Sequence, residues 1–394
     1  MTGARILFVI NSLAGGGAER IMMTLLAASH GEMARAPYGL ALLDEEATVY
    51  PPPPWLAVDH LDTGGSLPRG LRRLWALVRR ERPQLIVSFL TRSNILAVLV
   101  GRLHGCKVVI SERVNTSAHL MGRKAMLARC LVRLTYPLAD RVIAVSQGVA
   151  DDLRQNFGVP AAKLVVVSNP VDVAVIAARA AESRIEPPEP PYFVAMGRLT
   201  KTKNPALALA AYAKADVTPR LVVLGDGPER ADLERFIAEH GLEDRVKLVG
   251  FTANPFPLLA GAMAYISPSS SEGFPNALVE AMALGLPVIA TNCASGPSEI
   301  LADLPREAVS GTLETRYGFL VPTDDADALA AAMREMVADE VRRARWRVAG
   351  RERAQDFSVD RAVERYWRIF RDTIGTPSAR RARSVAAHGK TEMV

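Results

Sequence analysis

The sequence predicts an α/β protein built from two doubly wound domains facing each other across a cleft, and three observations carry that expectation. Short, continuous apolar runs of the kind buried on both faces of a parallel sheet alternate with helical segments along the chain. A stiff proline-rich stretch, Pro187 to Pro191 (PPEPP), interrupts the alternation near its middle. An equivalent series starts directly after it, and 394 residues are enough for each half to bury its own core.

In chain order, Ile6 to Ile10 (ILFVI) reads as the first strand and empties into NSLAGGGAER before a helical pattern from Ile21 onward. A strand, a glycine loop and a helix make a phosphate-cradle candidate. However, no Gly-Lys-Ser/Thr follows, and Arg20 stands where a dinucleotide fingerprint needs a third glycine. A strand near Tyr38 to Leu43 ends before Pro51 to Pro54, which cannot join a ladder. Residues 85–90, 107–111, 141–146 and 164–169 supply further strands. The second series runs through 192–197, 220–225, 245–250, 262–267, 286–291 and 317–321. Asp325 and Asp327 open the next helix, where Asp serves as a cap and dipole partner rather than as a metal ligand. A last helix, Val359 to about Ile374, carries Tyr366, Trp367 and Phe370 and is expected to dock back on the first domain. The expected parts are therefore domains 1–185 and 186–355, a C-terminal helix 356–375, and a disordered tail 376–394 that lacks core formers.

Hydrophobic residues make up 49% and charged residues 23% of the chain, the balance of a soluble globular protein. No apolar stretch is long enough to span a bilayer, and the run after Arg5 is too short for a signal peptide. Cys106, Cys130 and Cys293 are scattered and suggest neither disulfides nor zinc, so a reducing cytoplasm fits best. The net charge of +6 is unevenly spread, with 22 Lys and Arg against 14 Asp and Glu in residues 1–185. Two segments there are both basic and amphipathic. One sets Leu71, Leu74, Trp75 and Val78 beside Arg72, Arg73, Arg79 and Arg80; the other sets Leu127, Cys130, Leu131 and Leu134 beside Arg123, Lys124, Arg129 and Arg133. Such helices suit peripheral contact with an anionic membrane, or else pack their stripes on the sheet and leave the arginines to water.

The densest polar punctuation lies in Ser267 to Asn292. Glu272 and Glu280 stand eight apart, and Ser269 to Ser271, Gly273 and Pro275 read as a loop closing onto a helix that starts at Asn276. A helix start offers unpaired N–H groups and a positive dipole end, so a diphosphate is a natural guest. A capped surface helix with two solvated acids is the plainer alternative.

Taken together, GGGAER (15–20), SNPVD (168–172), GRLTKTKN (197–204), GDGPER (225–230), VGFTANP (249–255) and EGFPNALVEAMALGLPVIAT (272–291) resemble the retaining glycosyltransferases of family four. The likeness runs in order from Arg5 to about Ile374. It implies the GT-B architecture of two Rossmann-like domains and identifies Glu272 and Glu280 with the family's E-x7-E signature. It further implies that Arg198 and Lys203 grip a diphosphate, with Gly197 and Gly225 beside it. Gly16 and Gly17 would approach phosphate or sugar where no side chain fits. Glu280 would accept hydrogen bonds from ribose hydroxyls, and Glu272 would reach the donor sugar. The backbone around Gly273, Phe274, Asn276, Ala277 and Leu278 would line the same site, and the loop bearing Phe251 and Asn254 would read the base. Many relatives carry a sugar-contacting histidine after a middle strand of the first domain; in SERVNTSAHL the candidates are Glu112, Arg113 and His119.

The activity implied is retaining transfer of a hexose or N-acetylhexosamine from a nucleotide-diphosphate sugar, with UDP expected, to a glycan or polyprenyl-linked acceptor in bacterial surface polysaccharide synthesis. No metal and no cofactor are required, because Arg198, Lys203 and the helix dipole neutralise the leaving group, and no nucleic-acid partner is expected. A nucleotide-sugar 2-epimerase shares the architecture, although the E-x7-E pair and GRLTKTKN argue against it. A non-catalytic nucleotide-sugar-binding scaffold is the other alternative, and the intact set Arg198, Lys203, Glu272 and Glu280 gives it little support.

Overall fold

A computed structural model describes residues 5–33, 36–122, 125–182 and 191–375, and the chain divides into two compact units. The first unit holds seven strands: β1 (Ile6–Ile10), β2 (Tyr38–Leu42), β3 (Val58–His60), β4 (Leu85–Phe89), β5 (Lys107–Glu112), β6 (Arg141–Ala144) and β7 (Leu164–Val166). All pair in parallel in the order β3-β2-β1-β4-β5-β6-β7. The second unit holds β8 (Tyr192–Met196), β9 (Arg220–Leu224), β10 (Val246–Gly250), β11 (Ala264–Ser267), β12 (Val288–Thr291), β13 (Leu313–Glu314) and β14 (Gly318–Val321). Their order is β10-β9-β8-β11-β12-β14-β13, parallel except for the antiparallel edge pair β13 and β14.

The apolar runs make strands because helices cover both faces of each sheet, so a strand without alternation is buried throughout. Every residue of β1 and of β4 is buried. The two strands without a sequence signal, β3 and β13, are three- and two-residue edges in which Asp59, His60 and Glu314 leave no apolar run to recognise.

The division of the chain differs from the expected boundary at residue 185. Val171 already belongs to the second unit, together with Ser146–Gly148. The reason is local packing. Val171 N–H donates to the Phe357 carbonyl at 2.7 Å. Asp172 caps the helix Val173–Ala180, and Arg179 on that helix lies over the Phe256 ring and donates to the Ala253 carbonyl. The first unit therefore ends at Pro170, one helix ahead of the prolines that suggested the linker. Pro187 to Pro190 and the tail 376–394 lie outside the described residues.

The C-terminal helix Val359–Gly375 belongs to the first unit, whereas residues 356–358 stay with the second. Tyr366, Trp367 and Phe370 enter the first unit's apolar core with Phe8 and Tyr38. Phe370 meets Phe8 edge-on at 5.8 Å, and Trp367 Nε1 donates to Ser29 Oγ at 2.8 Å.

The two basic amphipathic helices have opposite fates. In Leu67–Glu81 the residues Leu74, Leu77 and Val78 are buried, Arg73 donates to the Leu61 and Asp62 carbonyls, and Arg80 pairs with Asp59 and Glu81. That stripe packs on the fold, leaving Trp75 at the surface under Arg79. In Met126–Thr135, by contrast, only Val132 and Thr135 are buried, and Leu127 and Leu134 are each 69% exposed. Arg123 and Lys124 lie outside the described residues.

Trp367→Ala removes a nearly fully buried ring and its hydrogen bond from the first unit's core. A loss of about 3–5 kcal/mol in unfolding free energy is expected by denaturant titration; an unchanged midpoint would mean that the helix does not contribute to that core.

Candidate functional site

In each sheet the strand order reverses once, between β1 and β4 and between β8 and β11. Loops leaving the carboxyl ends of such a pair diverge, and the crevice between them is where α/β sheets bind ligands. In the second unit those loops are residues 197–204 after β8 and 268–275 after β11. They line one recess that includes Gly197, Arg198, Lys203, Tyr265, Glu272 and Ala277.

The loop after β8 is set by its neighbour. Gly225 has φ +131°, and a Cβ there would stand 2.0 Å from the Gly197 carbonyl oxygen. Leu199 N–H donates to the Asp226 carbonyl and Glu229 N–H to the Leu199 carbonyl. The backbones of GRLTKTKN and GDGPER thus lie against each other, closer than any side chain at Gly225 would allow. Arg198 emerges from this seam exposed; its carbonyl accepts from Thr200 N–H, and its guanidinium has no hydrogen bond or ion pair among the described residues. Lys203 turns inward, and its Nζ donates to both oxygens of Glu272 at 2.6 and 2.7 Å. Ser269 Oγ donates to Glu272 as well, at 2.7 Å. Ser269 was legible only as part of a serine run.

Lys203 and Glu272 therefore hold each other across a recess with free volume of about 30 Å³, room for one water. Glu272 is buried, while the lysine side chain is 37% exposed. Below them Tyr265 is fully buried; burial first, and then the charges of Glu272 and Glu280, push its hydroxyl pKa up, so it stays protonated and donates to the Met196 carbonyl. The sequence offered no signal for Tyr265, which reads as a strand residue.

Glu280 is buried on the helix Asn276–Ala283. The start of that helix is less open than the sequence suggested. Asn276 N–H donates to the Phe274 carbonyl at 2.9 Å, Leu278 N–H to the Pro275 carbonyl at 3.0 Å, and the Gly273 carbonyl accepts from Ser146 Oγ. Phe274 is buried edge-on to Phe357. Of these, Pro275 and Ala277 line the recess. In the loop after β10 Phe251 is 79% exposed, but the Asn254 amide is spent inside the fold, donating to the Arg179 carbonyl at 2.8 Å. Asn254 thus supports the loop instead of presenting its amide outward. Asp325 caps the helix Ala326–Ala338 by accepting from Ala328 N–H, and Asp327 pairs with Lys214.

The first unit contributes a different environment. Gly16 caps and Gly17 begins the helix Gly17–Ala28, and a Cβ at Gly16 would meet the Glu19 carboxylate at 2.1 Å. Burial, and to a lesser degree the Glu46 charge, raises the pKa of Glu19. A phosphate approaching this loop would meet an acid.

At the carboxyl ends of β1, β4 and β5 lies a cavity of about 470 Å³ with Asn11, Thr91, Arg92, Glu112 and His119 in its lining. Leu90 stands at its wall with φ +76°, a conformation that a leucine adopts only under constraint. Arg92 pairs with Asp44; burial acts to raise that carboxyl, but hydrogen bonds from Arg92, Gly65 and Thr63 outweigh it and leave it below its ordinary value. Glu112 is fully buried and accepts from Tyr136 Oη at 2.5 Å and Arg113 N–H at 3.0 Å. Arg113 turns away from the cavity, lying over Phe89 and donating to Tyr366 Oη. Of the three SERVNTSAHL candidates, Glu112 and His119 line the cavity and Arg113 ties β5 to the C-terminal helix.

Residues 178–353 match the model of glycosyl transferases group 1, and residues 15–175 that of glycosyltransferase family 4. The chain is similar to N-acetylgalactosamine-N,N'-diacetylbacillosaminyl-diphospho-undecaprenol 4-alpha-N-acetylgalactosaminyltransferase of Campylobacter jejuni, at 31% identity over 273 residues covering 68% of this chain and 71% of the relative. A second Campylobacter jejuni protein is 26% identical over 380 residues, covering 93% and 98%; it is named as a GalNAc-alpha-(1->4)-GalNAc-alpha-(1->3)-diNAcBac-PP-undecaprenol alpha-1,4-N-acetyl-D-galactosaminyltransferase. Among solved structures, Anabaena Alr3699/HepE in complex with UDP-glucose shares the fold with a TM-score of 0.76 at 21% identity, covering 94% of this chain and 100% of that one.

Burial, against the hydrogen bonds from Tyr136 and the backbone, holds the Glu112 carboxyl above its ordinary pKa. The folded chain thus binds that proton more tightly than the unfolded chain. The resulting stabilisation is present at acid pH and is lost as pH rises through the raised value. Glu112→Gln keeps the size and removes the titration. Its unfolding free energy is expected to decline less than the wild type's as pH rises above the ordinary carboxyl range; parallel curves would show that Glu112 does not titrate there.

Proposed function

The chain belongs to the glycosyltransferases of GT-B fold, and from that premise we propose that it is a retaining, family-four enzyme of bacterial surface polysaccharide synthesis. In this reading it transfers a hexose or N-acetylhexosamine from a nucleoside-diphosphate sugar to a glycan or polyprenyl-linked glycan. One observation carries it: Arg198, whose guanidinium has no partner among the described residues, and Lys203, clasped by the buried Glu272, meet at the strand-order reversal of the second sheet, with Glu280 buried near enough for its charge to act on Tyr265 beneath them. The relatives' names, with GalNAc transfer onto undecaprenol-linked glycans, and the UDP-glucose complex of HepE favour a UDP-sugar donor and a lipid-linked acceptor.

As the bond from the anomeric carbon to the diphosphate lengthens, positive charge grows on the sugar and negative charge on the departing phosphate. Arg198, unpaired beforehand, meets the phosphate oxygens with its planar fork. Lys203 begins paired with Glu272. A diphosphate entering the recess draws the ammonium away, and the released carboxylate accepts hydrogen bonds from the sugar hydroxyls and faces the developing cation. Glu280 accepts hydrogen bonds from the ribose. The acceptor hydroxyl attacks on the face the phosphate leaves, and its proton passes to the departing phosphate oxygen, so no side chain acts as base. Arg198, Lys203 and the helix start at Asn276 supply the neutralising charge, and we assign the transfer no metal.

The cavity of the first unit, with Asn11, Arg92, Glu112 and His119, offers an acceptor glycan both hydrogen-bonding groups and apolar wall. Among the described residues no helix is long and apolar enough to cross a membrane. The exposed apolar face of Met126–Thr135, with Arg129 and Arg133 beside it, supports a peripheral position on the cytoplasmic face of an anionic membrane.

Lys203→Ala is expected to lower turnover of the donor by roughly 10²-fold or more, as for loss of one charge-stabilising donor; wild-type turnover would remove Lys203 from the site. Glu280→Ala is expected to weaken UDP binding measured calorimetrically by about tenfold. An unaltered affinity would contradict the ribose role, and accumulation of isomerised UDP-sugar without acceptor would mark an epimerase instead.

A further inference from the structure

We propose that Ser269 is a positioning residue for the transfer: it holds one oxygen of Glu272 in place after Lys203 has gone to the diphosphate, and so leaves the other oxygen to a hydroxyl of the donor sugar. This assignment rests on the proposed activity and on the roles given there to Lys203 and Glu272. Lys203 Nζ donates to Oε1 and Oε2 of Glu272 at 2.6 and 2.7 Å, whereas Ser269 Oγ donates to Oε1 alone, at 2.7 Å. Among the described residues these two side chains are the donors to that carboxylate. When the lysine leaves, Oε1 keeps the serine and Oε2 is released with its lone pairs free. The terminal torsion of a glutamate is broad, so one fixed oxygen is what keeps the other aimed.

The surroundings leave this task to the serine. Arg198 and Lys203 reach the recess from the loop after β8, and both are committed to the diphosphate in the proposed reaction. Tyr265 on β11 spends its hydroxyl proton on the Met196 carbonyl. Cys293, in the loop after β12, is buried; burial first, and then the Glu272 charge, push its thiol up to about 12, so it stays neutral, with the charges of Lys203 and Arg306 acting the other way. Glu280, on the helix Asn276–Ala283, acts on Tyr265 with the same sign as Glu272. Neither the tyrosine hydroxyl nor the thiol donates to Glu272 among the described residues. Ser269 is itself buried and pinned: its carbonyl accepts from Thr291 Oγ1 on β12, and the next N–H, of Ser270, donates to the Thr202 carbonyl at 2.9 Å. A hydrogen bond to the ionised form of an acid favours that form. The serine therefore also keeps Glu272 charged once the lysine no longer pairs with it.

The test is Ser269→Ala in the full chain, with turnover followed as release of UDP from UDP-N-acetylgalactosamine or UDP-glucose and water as the acceptor. Calorimetric affinity for UDP alone is expected to stay at the wild-type value, which also shows that the variant folds. The kcat for UDP release is expected to fall roughly tenfold with KM little altered, as for loss of a hydrogen bond to a charged group. Its acid limb is expected to move to higher pH, because the ionised form of Glu272 has lost a donor. Thr291→Val leaves Ser269 in place and frees its carbonyl; the same changes are expected at roughly threefold, and they read the same role if Ser269→Ala does not fold. A carbon-13 titration of the Glu272 carboxyl, identified by its loss in Glu272→Gln, reads the serine's hold without turnover. With UDP bound, that carboxyl is expected to take up its proton at higher pH in Ser269→Ala than in the wild type. Wild-type kcat and titration in both variants would overturn the proposal, as would a loss of UDP affinity matching the loss of kcat, which would reduce Ser269 to packing. A displaced titration in a chain that releases no UDP from either donor supports the serine's hold and sinks the proposed activity, whereas UDP release that neither substitution alters does the reverse.

Discussion

A parallel sheet that adds strands first on one side of its starting strand and then on the other leaves two neighbouring loops running in opposite directions, and the proposed donor site depends on that constraint. At β8 and β11 the divergence opens a crevice whose floor is strand and whose walls are two loops of unequal origin. The wall after β8 is held by backbone: Gly225 approaches the Gly197 carbonyl too closely for any Cβ. The wall after β11 is held by polar side chains, with Ser269 on Glu272 and Thr291 on the Ser267 and Ser269 carbonyls. Ser270 N–H joins the two by donating to the Thr202 carbonyl. Rigid walls matter because the groups between them must meet a charge that appears only during reaction.

Within those walls the two cations are in different states. Arg198 is exposed, its guanidinium unpaired among the described residues, whereas Lys203 is bound by two hydrogen bonds to a buried carboxylate. A buried carboxylate without a counter-ion is costly, so Glu272 needs a partner whenever the site is empty. The lysine fills that need and leaves the recess narrow. In the proposed reaction the diphosphate replaces Glu272 as the partner of Lys203, and the sugar replaces Lys203 as the partner of Glu272. The first unit solves the same problem differently, keeping Glu112 in hydrogen bonds from Tyr136 and the backbone with a raised pKa in place of a salt bridge.

The two basic amphipathic helices show where pattern reading stops. Both present leucines at helical spacing with arginines beside them, and periodicity treats them alike. One buries its stripe and spends Arg73 and Arg80 on neighbouring carbonyls and acids; the other turns leucines outward and leaves the Arg133 side chain without a partner among the described residues. The difference lies in what each helix is offered. Leu67–Glu81 lies along Thr91–His104, where Gly70 allows Leu96 to approach, whereas Met126–Thr135 has its buried residues at Val132 and Thr135 alone. An amphipathic stripe records a demand for burial, not the surface that meets it.

The sequence alone determined the two sheets apart from their short edges β3 and β13, and it marked the two loops proposed to hold the donor. Continuous apolar runs have few other uses, and glycine and proline mark their ends. It also singled out Arg198, Lys203, Glu272 and Glu280. Tertiary structure decided what those residues do to one another, joining Lys203 to Glu272 across 69 positions of sequence and burying Tyr265 beneath them. It moved the boundary of the first unit from residue 185 to Pro170, because a helix follows its packing rather than its nearest proline. It likewise spent the Asn254 amide and the Asn276 and Leu278 N–H groups inside the fold. A hydrogen bond between distant segments exists only once both have been placed, and no local pattern encodes it.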